Sequence, residues 1–218
     1  LSVLRFYVDI GVRWMLLVYN TKNRIGGGVH DSIDEGLTDF GYKAIAEMDR
    51  VGLVKCLSHT GYRTARDVLD ASAKPVIFSH SNPRALCEHP RNIPDDLIRA
   101  CAKTGGVVCL NGVGIFLGDN DVRSDTLARH IDHVVQLVGA DHVGLGLDYM
   151  FDPSELDAHL AANPDIWPSA WGYKPGIKFV APEQLPELTE LLLRRYSEDD
   201  TRKVLGENLL RVATAVWP

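Results

Sequence analysis

The sequence predicts a parallel α/β fold. Three observations carry that prediction. Short apolar runs alternate with amphipathic segments over most of the chain, the pattern of βα units. Each run is apolar nearly throughout, as strands covered on both faces require. No linker or low-complexity tract divides the 218 residues, so residues 1–218 read as one domain. A doubly wound sheet and a (β/α)8 barrel both fit. A complete barrel takes about 250 residues and eight strands, so the five runs found here amount to a partial barrel.

The elements follow in order. Leu1, Leu4, Val8 and Val12 recur at helical spacing. Residues 12–19 (VRWMLLVY) read as a buried strand, and 20–36 as a long glycine-rich loop of the kind that serves function. Residues 39–52 read as a helix with Ile45, Met48 and Val51 on one face. The alternation then becomes regular, with strands at 53–58, 75–79, 106–112 and 142–148. Helices lie between them at 62–73, 94–104 and 124–137; Asp95 and Asp96 open the second, where negative charge suits the dipole. A proline-rich segment follows 148, and the end is helical over 182–196, 197–205 and 206–216. The triple glycine at 26–28 lacks the helix and lysine of a phosphate cradle and reads as a flexible turn.

Composition narrows the function classes. Net charge is −6, which argues against a nucleic-acid groove. No apolar stretch approaches a membrane span, and neither a signal peptide nor an apolar C-terminal tail for a lipid anchor is visible. Cys56, Cys87, Cys101 and Cys109 form no C-x-x-C pair. Cys56 and Cys109 sit in apolar runs as buried thiols, which favours a reducing compartment and a cytoplasmic location.

The chemistry lies where the strands end. The five apolar runs lead into Tyr19 and Asn20, His59, His80, Asn111 and Asp148. In parallel α/β folds that edge carries the active site. His59 and His80 stand one βα unit apart, so adjacent strands aim both imidazoles into one cavity, and neutral imidazole is a common zinc ligand. Asp148 can bind metal or carry a proton. A lone strand-end histidine is more often a cap or core residue; the repeated LSH and FSH favour ligation. His130 and His133, three apart on a helix away from this edge, read as surface or helix-packing residues, and His30, His89, His142 and His159 carry no specific pattern.

The runs GVRWMLLVYN, GLTDFGYKAIAEMDRVGLVKCLSHTG, KPVIFSHSNPRALCEHPRNIPDD, HVGLGLDYMFD and VLGENLLRV resemble the membrane (renal) dipeptidase family of zinc peptidases, over essentially the whole chain. The resemblance implies an amidohydrolase-like (β/α)8 barrel with two zinc ions bridged by a carboxylate, of which this chain matches the last five βα units. It implies that His59 and His80 hold one metal, that Arg91 takes the substrate carboxylate, and that Asp148 transfers protons. Asn111 and Tyr19 complete the substrate-binding set. The family's His-x-Asp pair and bridging Glu fall before the region matching Leu1. Tyr19 replaces a family His that contacts the reacting oxygen; a phenol can still donate there. Phe116 replaces a Tyr that helps hold the carboxylate, and Phe cannot.

The leading expectation is hydrolysis of dipeptides or similar short amides by a metal-activated hydroxide. Tyr19 and Phe116 motivate a rival on the same barrel, a hydrolase of acyl amino acids, lactones or other amides. The missing ligands motivate another, a truncated remnant that serves as a binding partner. Manganese or iron would also suit these ligand types. A homodimer is the family expectation; no feature of the sequence shows it.

Overall fold

The computed structural model describes residues 1–218. Its centre is a five-stranded parallel sheet in the order β1-β2-β3-β4-β5: Trp14–Leu16, Val54–Cys56, Val76–Phe78, Val107–Asn111 and Val143–Gly146. Every strand pairs with its neighbour in sequence, through registers such as Leu16↔Cys56, Cys56↔Ile77, Phe78↔Val108 and Val108↔Val143. A doubly wound sheet reverses its strand order at a switch point. This one never does, so it is an arc of a barrel.

The alternation along each strand sorts residues onto two faces. Val54, Cys56, Ile77, Val107 and Cys109 form one cluster, sealed by Val212 and Val216 of the C-terminal helix α10 (Asn208–Val216). Leu53, Leu57, Val76, Phe78, Val108 and Leu110 join the larger core beneath the flanking helices. These are α2 (Asp39–Val51), α3 (Tyr62–Ala71), α4 (Asp95–Lys103) and α6 (Ser124–Val138). Lys55 breaks the apolar pattern. It is fully buried on the helix side and ion-paired with Asp49 of α2, so the charge is compensated where it is desolvated. Thr38 caps α2 by accepting from Gly41 N at 3.0 Å. Gly52 ends it at φ 75°, where a side chain would also meet Val216 O.

Several expectations change. The strands are shorter than the apolar runs: β1 covers 14–16 rather than 12–19, because only that part finds ladder partners. The helix α1 (Ser2–Asp9) buries no residue and lies on α2, where Arg5 pairs with Glu47. The triple glycine is not a flexible turn. Gly26, Gly27 and Gly28 are buried, Gly27 N donates to Thr64 Oγ1 at 2.8 Å, and a Cβ on Gly28 would stand 2.2 Å from the Asn20 backbone. Only glycine allows that approach. The proline-rich segment contains a helix, α7 (Pro153–Ala162), capped by Asp152. It returns across the strand ends, and Phe179 bridges to Val113 beside the short helix α5 (Gly114–Leu117). The C-terminal run is broken into α8 (Leu185–Leu193), α9 (Glu198–Arg202), a π-turn at Lys203–Glu207 and α10. All four cysteines are free; Cys56, Cys101 and Cys109 are buried. No helix is long and apolar enough to cross a membrane.

Candidate active site at the strand ends

The carboxyl ends of the strands bring the sequence-predicted residues together. His59, just past β2, adopts φ 70°, and Asn20 and Asp148, past β1 and β5, adopt φ 60° and 55°. A left-handed backbone is costly for residues with a Cβ. It turns the chain sharply at the strand exit, and at three of the five exits that cost is accepted where the chemistry sits.

His59 Nδ1 lies 2.7 Å from Asn20 Oδ1, which can only accept. The proton is therefore on Nδ1, and Nε2 carries a lone pair directed at the site. His80 Nε2 faces it at 2.8 Å, and Arg91 Nη2 donates to it at 3.0 Å. His80 is held from behind by Ser79 Oγ at 2.7 Å from Nδ1, and its backbone N donates to Ser58 Oγ. Burial, reinforced by Arg91, lowers the pKa of both imidazoles. His80 falls to about 4 against an opposing pull from Asp148, and His59 falls further. Both rings are neutral near pH 7, the form that binds metal.

Two converging imidazoles, each with an outer oxygen on its far nitrogen, fit one side of a metal centre. No group of three His, Cys, Asp or Glu side chains converges anywhere in the chain. A tetrahedral zinc site takes four ligands, so these residues fit part of such a site and do not close it.

Arg91 is 2% exposed, and its Nη1 has no hydrogen-bond partner. Burial pulls its pKa down, while Tyr173, Asp148 and Tyr19 pull it back up. The loop between β3 and α4 fixes its position. Arg91 N donates to His89 Nδ1 at 3.0 Å, and His89 Nε2 reaches Trp171 O at 2.8 Å. The Phe116 ring lies under the guanidinium, 5.3 Å from Cζ, where the expected departure from the family leaves a π face instead of a hydroxyl. Tyr19 is half exposed and stacks on His59 with ring centroids 4.2 Å apart. Burial raises the pKa of its phenol, so at neutral pH it donates.

Asn111 lies behind these groups. It is buried, its Nδ2 donates to Asp148 Oδ2 at 3.1 Å, and its Oδ1 accepts from Val113 N at 2.6 Å. Both ends of its amide are engaged by the protein. The cavity in front, about 150 Å³, is lined by Tyr19, His59, Arg91 and Asp148 on the strand side and by apolar residues on the other.

That second wall was not foreseen. Leu156, Leu160, Trp167, Tyr173 and Ile177 come from the proline-rich segment, and His30 joins it edge-on to Tyr173 at 5.7 Å. The run WPSAWGY at 167–173, three aromatics in a segment otherwise read as loop, was the available signal. His130, on α6, is buried away from the site and bonded to Leu117 O.

Known proteins resemble this chain in sequence and in fold. An uncharacterized dipeptidase of Schizosaccharomyces pombe is 40% identical over 159 residues, which is 68% of this chain but 38% of that protein. The chain thus spans well under half the length of that relative. The crystal structure of an amidohydrolase from Pseudomonas aeruginosa superposes with a TM-score of 0.85 at 36% identity, covering 99% of this chain and 68% of that one. A metallopeptidase of family M19, dipeptidase AC, gives 0.77 at 25% identity over all of this chain and 60% of its own. The model of the membrane dipeptidase family, peptidase family M19, matches residues 1–160, and the chain belongs to that family.

Proposed function

We propose that these residues form the substrate-carboxylate side of a metal-dependent hydrolase site for dipeptides or similar short amides. The observation that carries the reading is the convergence of the His59 and His80 Nε2 atoms, 2.8 Å apart, beside a buried Arg91 whose Nη1 has no protein partner. A buried guanidinium nitrogen without a partner, on a residue that lines the pocket, calls for an anion from the substrate, and a carboxylate matches its planar fork.

His59 and His80 would hold one metal ion, zinc by family expectation, with a second zinc expected beside it. Further ligands come from groups other than those converging here. When bound, metal polarises the scissile carbonyl and lowers the pKa of water. The chain's own residues do the rest. Arg91 fixes the carboxylate and so sets which amide bond reaches the histidines. Asp148 accepts a proton from the attacking water and passes it to the leaving amine nitrogen. Asn111, rather than touching substrate, orients that carboxylate. Tyr19 donates to the carbonyl oxygen as negative charge develops there. Residues 1–218 act as one domain, and a homodimer remains part of the proposal.

Metal analysis of the purified protein and dipeptide turnover test this together. His59→Ala and His80→Ala should each lower bound metal and abolish turnover; unchanged metal content and activity in both would sink the reading. Phe116 favours a second reading, in which N-acyl amino acids or lactones are the substrates. Turnover of N-acyl amino acids well above that of dipeptides would select it.

A further inference from the structure

The cavity gathers its charged groups, Arg91 and Asp148, at the strand side and is apolar opposite, and that asymmetry says something about the ligand. Resting on the reading that Arg91 takes a carboxylate, we infer that the substrate residue carrying that carboxylate has an aromatic or branched aliphatic side chain, seated against the wall supplied by residues 156–179.

The carboxylate is anchored first. Arg91 lines the cavity, and its buried Nη1 has no hydrogen-bond partner within the protein. The groups attached to the same α-carbon must then diverge, the amide toward His59 and the side chain toward the opposite wall. Leu156, Leu160, Trp167, Ile177 and Phe179 make up that wall, with Phe116 closing it beneath Arg91. Arg91 and Asp148 are the only Lys, Arg, Asp or Glu among the lining residues, and both are committed to the reacting end. Tyr173 is also turned aside, its hydroxyl 3.4 Å from His30 Nε2. A charged or amide side chain would therefore be stripped of water with no partner. Size points the same way. The cavity is about 150 Å³, and an apolar cavity of about that volume accepts benzene. The carboxylate and amide share this space at the Arg91 and His59 end, so it holds at most one ring or branched aliphatic group against the apolar wall.

The test is direct binding to the whole chain by calorimetry, in chelator so that nothing is hydrolysed, with Gly-Phe, Gly-Leu, Gly-Gly, Gly-Asp and Gly-Lys. Gly-Phe and Gly-Leu should bind at least about tenfold more tightly than Gly-Gly, and Gly-Asp and Gly-Lys more weakly than Gly-Gly. Leu156 is partly exposed at the rim, so Leu156→Lys should fold, as checked by circular dichroism, and should place Gly-Asp above Gly-Phe. Equal affinities across the panel, lost in Arg91→Met, would overturn this inference and leave the carboxylate reading standing. Binding indifferent to Arg91→Met would overturn the carboxylate reading, and this inference with it. No binding of any dipeptide would overturn both.

Discussion

Arg91 sits in the interior with no carboxylate in contact, only Asp148 at longer range, and that cost is built into the native state. An unpaired buried charge is among the most expensive things a fold can hold. Arg91→Met should therefore raise stability by about 1–4 kcal/mol in urea denaturation while raising KM for dipeptides at least tenfold. A fall in stability would mean that the bond to His59 outweighs the desolvation. His59 pays a different cost, its left-handed backbone at φ 70°. Glycine takes that conformation freely, so His59→Gly should be more stable than His59→Ala by about 1 kcal/mol. Equal stabilities would show that the strand exit relaxes when the imidazole is removed. The sequence disclosed His59, His80, Tyr19, Asn111 and Asp148 because a polar residue after an apolar run is visible in one dimension. It did not disclose the burial of Arg91, since arginine is usually exposed, nor the role of Asn20, which depends on a backbone turn and a 2.7 Å contact across 39 residues.

Among the elements, α6 offers the clearest pH effect. Its His130 donates from Nε2 to Leu117 O at 3.1 Å, while Nδ1 is buried without a partner. Burial lowers the pKa from 6.5 to about 4. Below pH 6.5 the unfolded chain binds a proton that the folded chain refuses, so stability is full above 6.5 and falls as pH drops toward 4. A shift of that size corresponds to on the order of 3 kcal/mol. His130→Gln keeps the donor and cannot titrate, so it should flatten part of the pH 6.5–4 slope in urea midpoints; an unchanged slope would assign it to the other buried histidines. Elements were legible in proportion to their periodicity. The four regular strands and the three helices between them were placed correctly because packing on a sheet imposes a strong stripe, as in α3 and α4. α7 was missed because only Leu156 and Leu160 mark its inner face, among prolines that argue for loop. Strand lengths were overestimated because an apolar run reports burial, whereas a strand also needs a partner in register.

At the scale of the molecule, the sequential strand order separates a barrel arc from a doubly wound sheet, a choice that the alternation of elements alone left open and the family resemblance had made. Burial pattern alone is the same in both; only pairing distinguishes them. The arc also leaves an apolar face. Trp14, Leu210 and Trp217 are each about half exposed or more around a cleft of about 280 Å³ lined wholly by hydrophobic residues. Such a patch favours association. Leu210→Glu should lower both dye binding to the native protein and any self-association seen by sedimentation; no change in either would show that this face is not the sticky one.

The far wall of the cavity has one more consequence. Its residues, Leu156 to Phe179, are contiguous in the chain, whereas Tyr19, His59, His80, Arg91 and Asp148 are dispersed over the turns that follow the strands. On the proposed reading, what is accepted and how it is cut are thus written in different places. A single crossover replacing that stretch could retune substrate choice in one evolutionary step, with the reacting groups inherited intact.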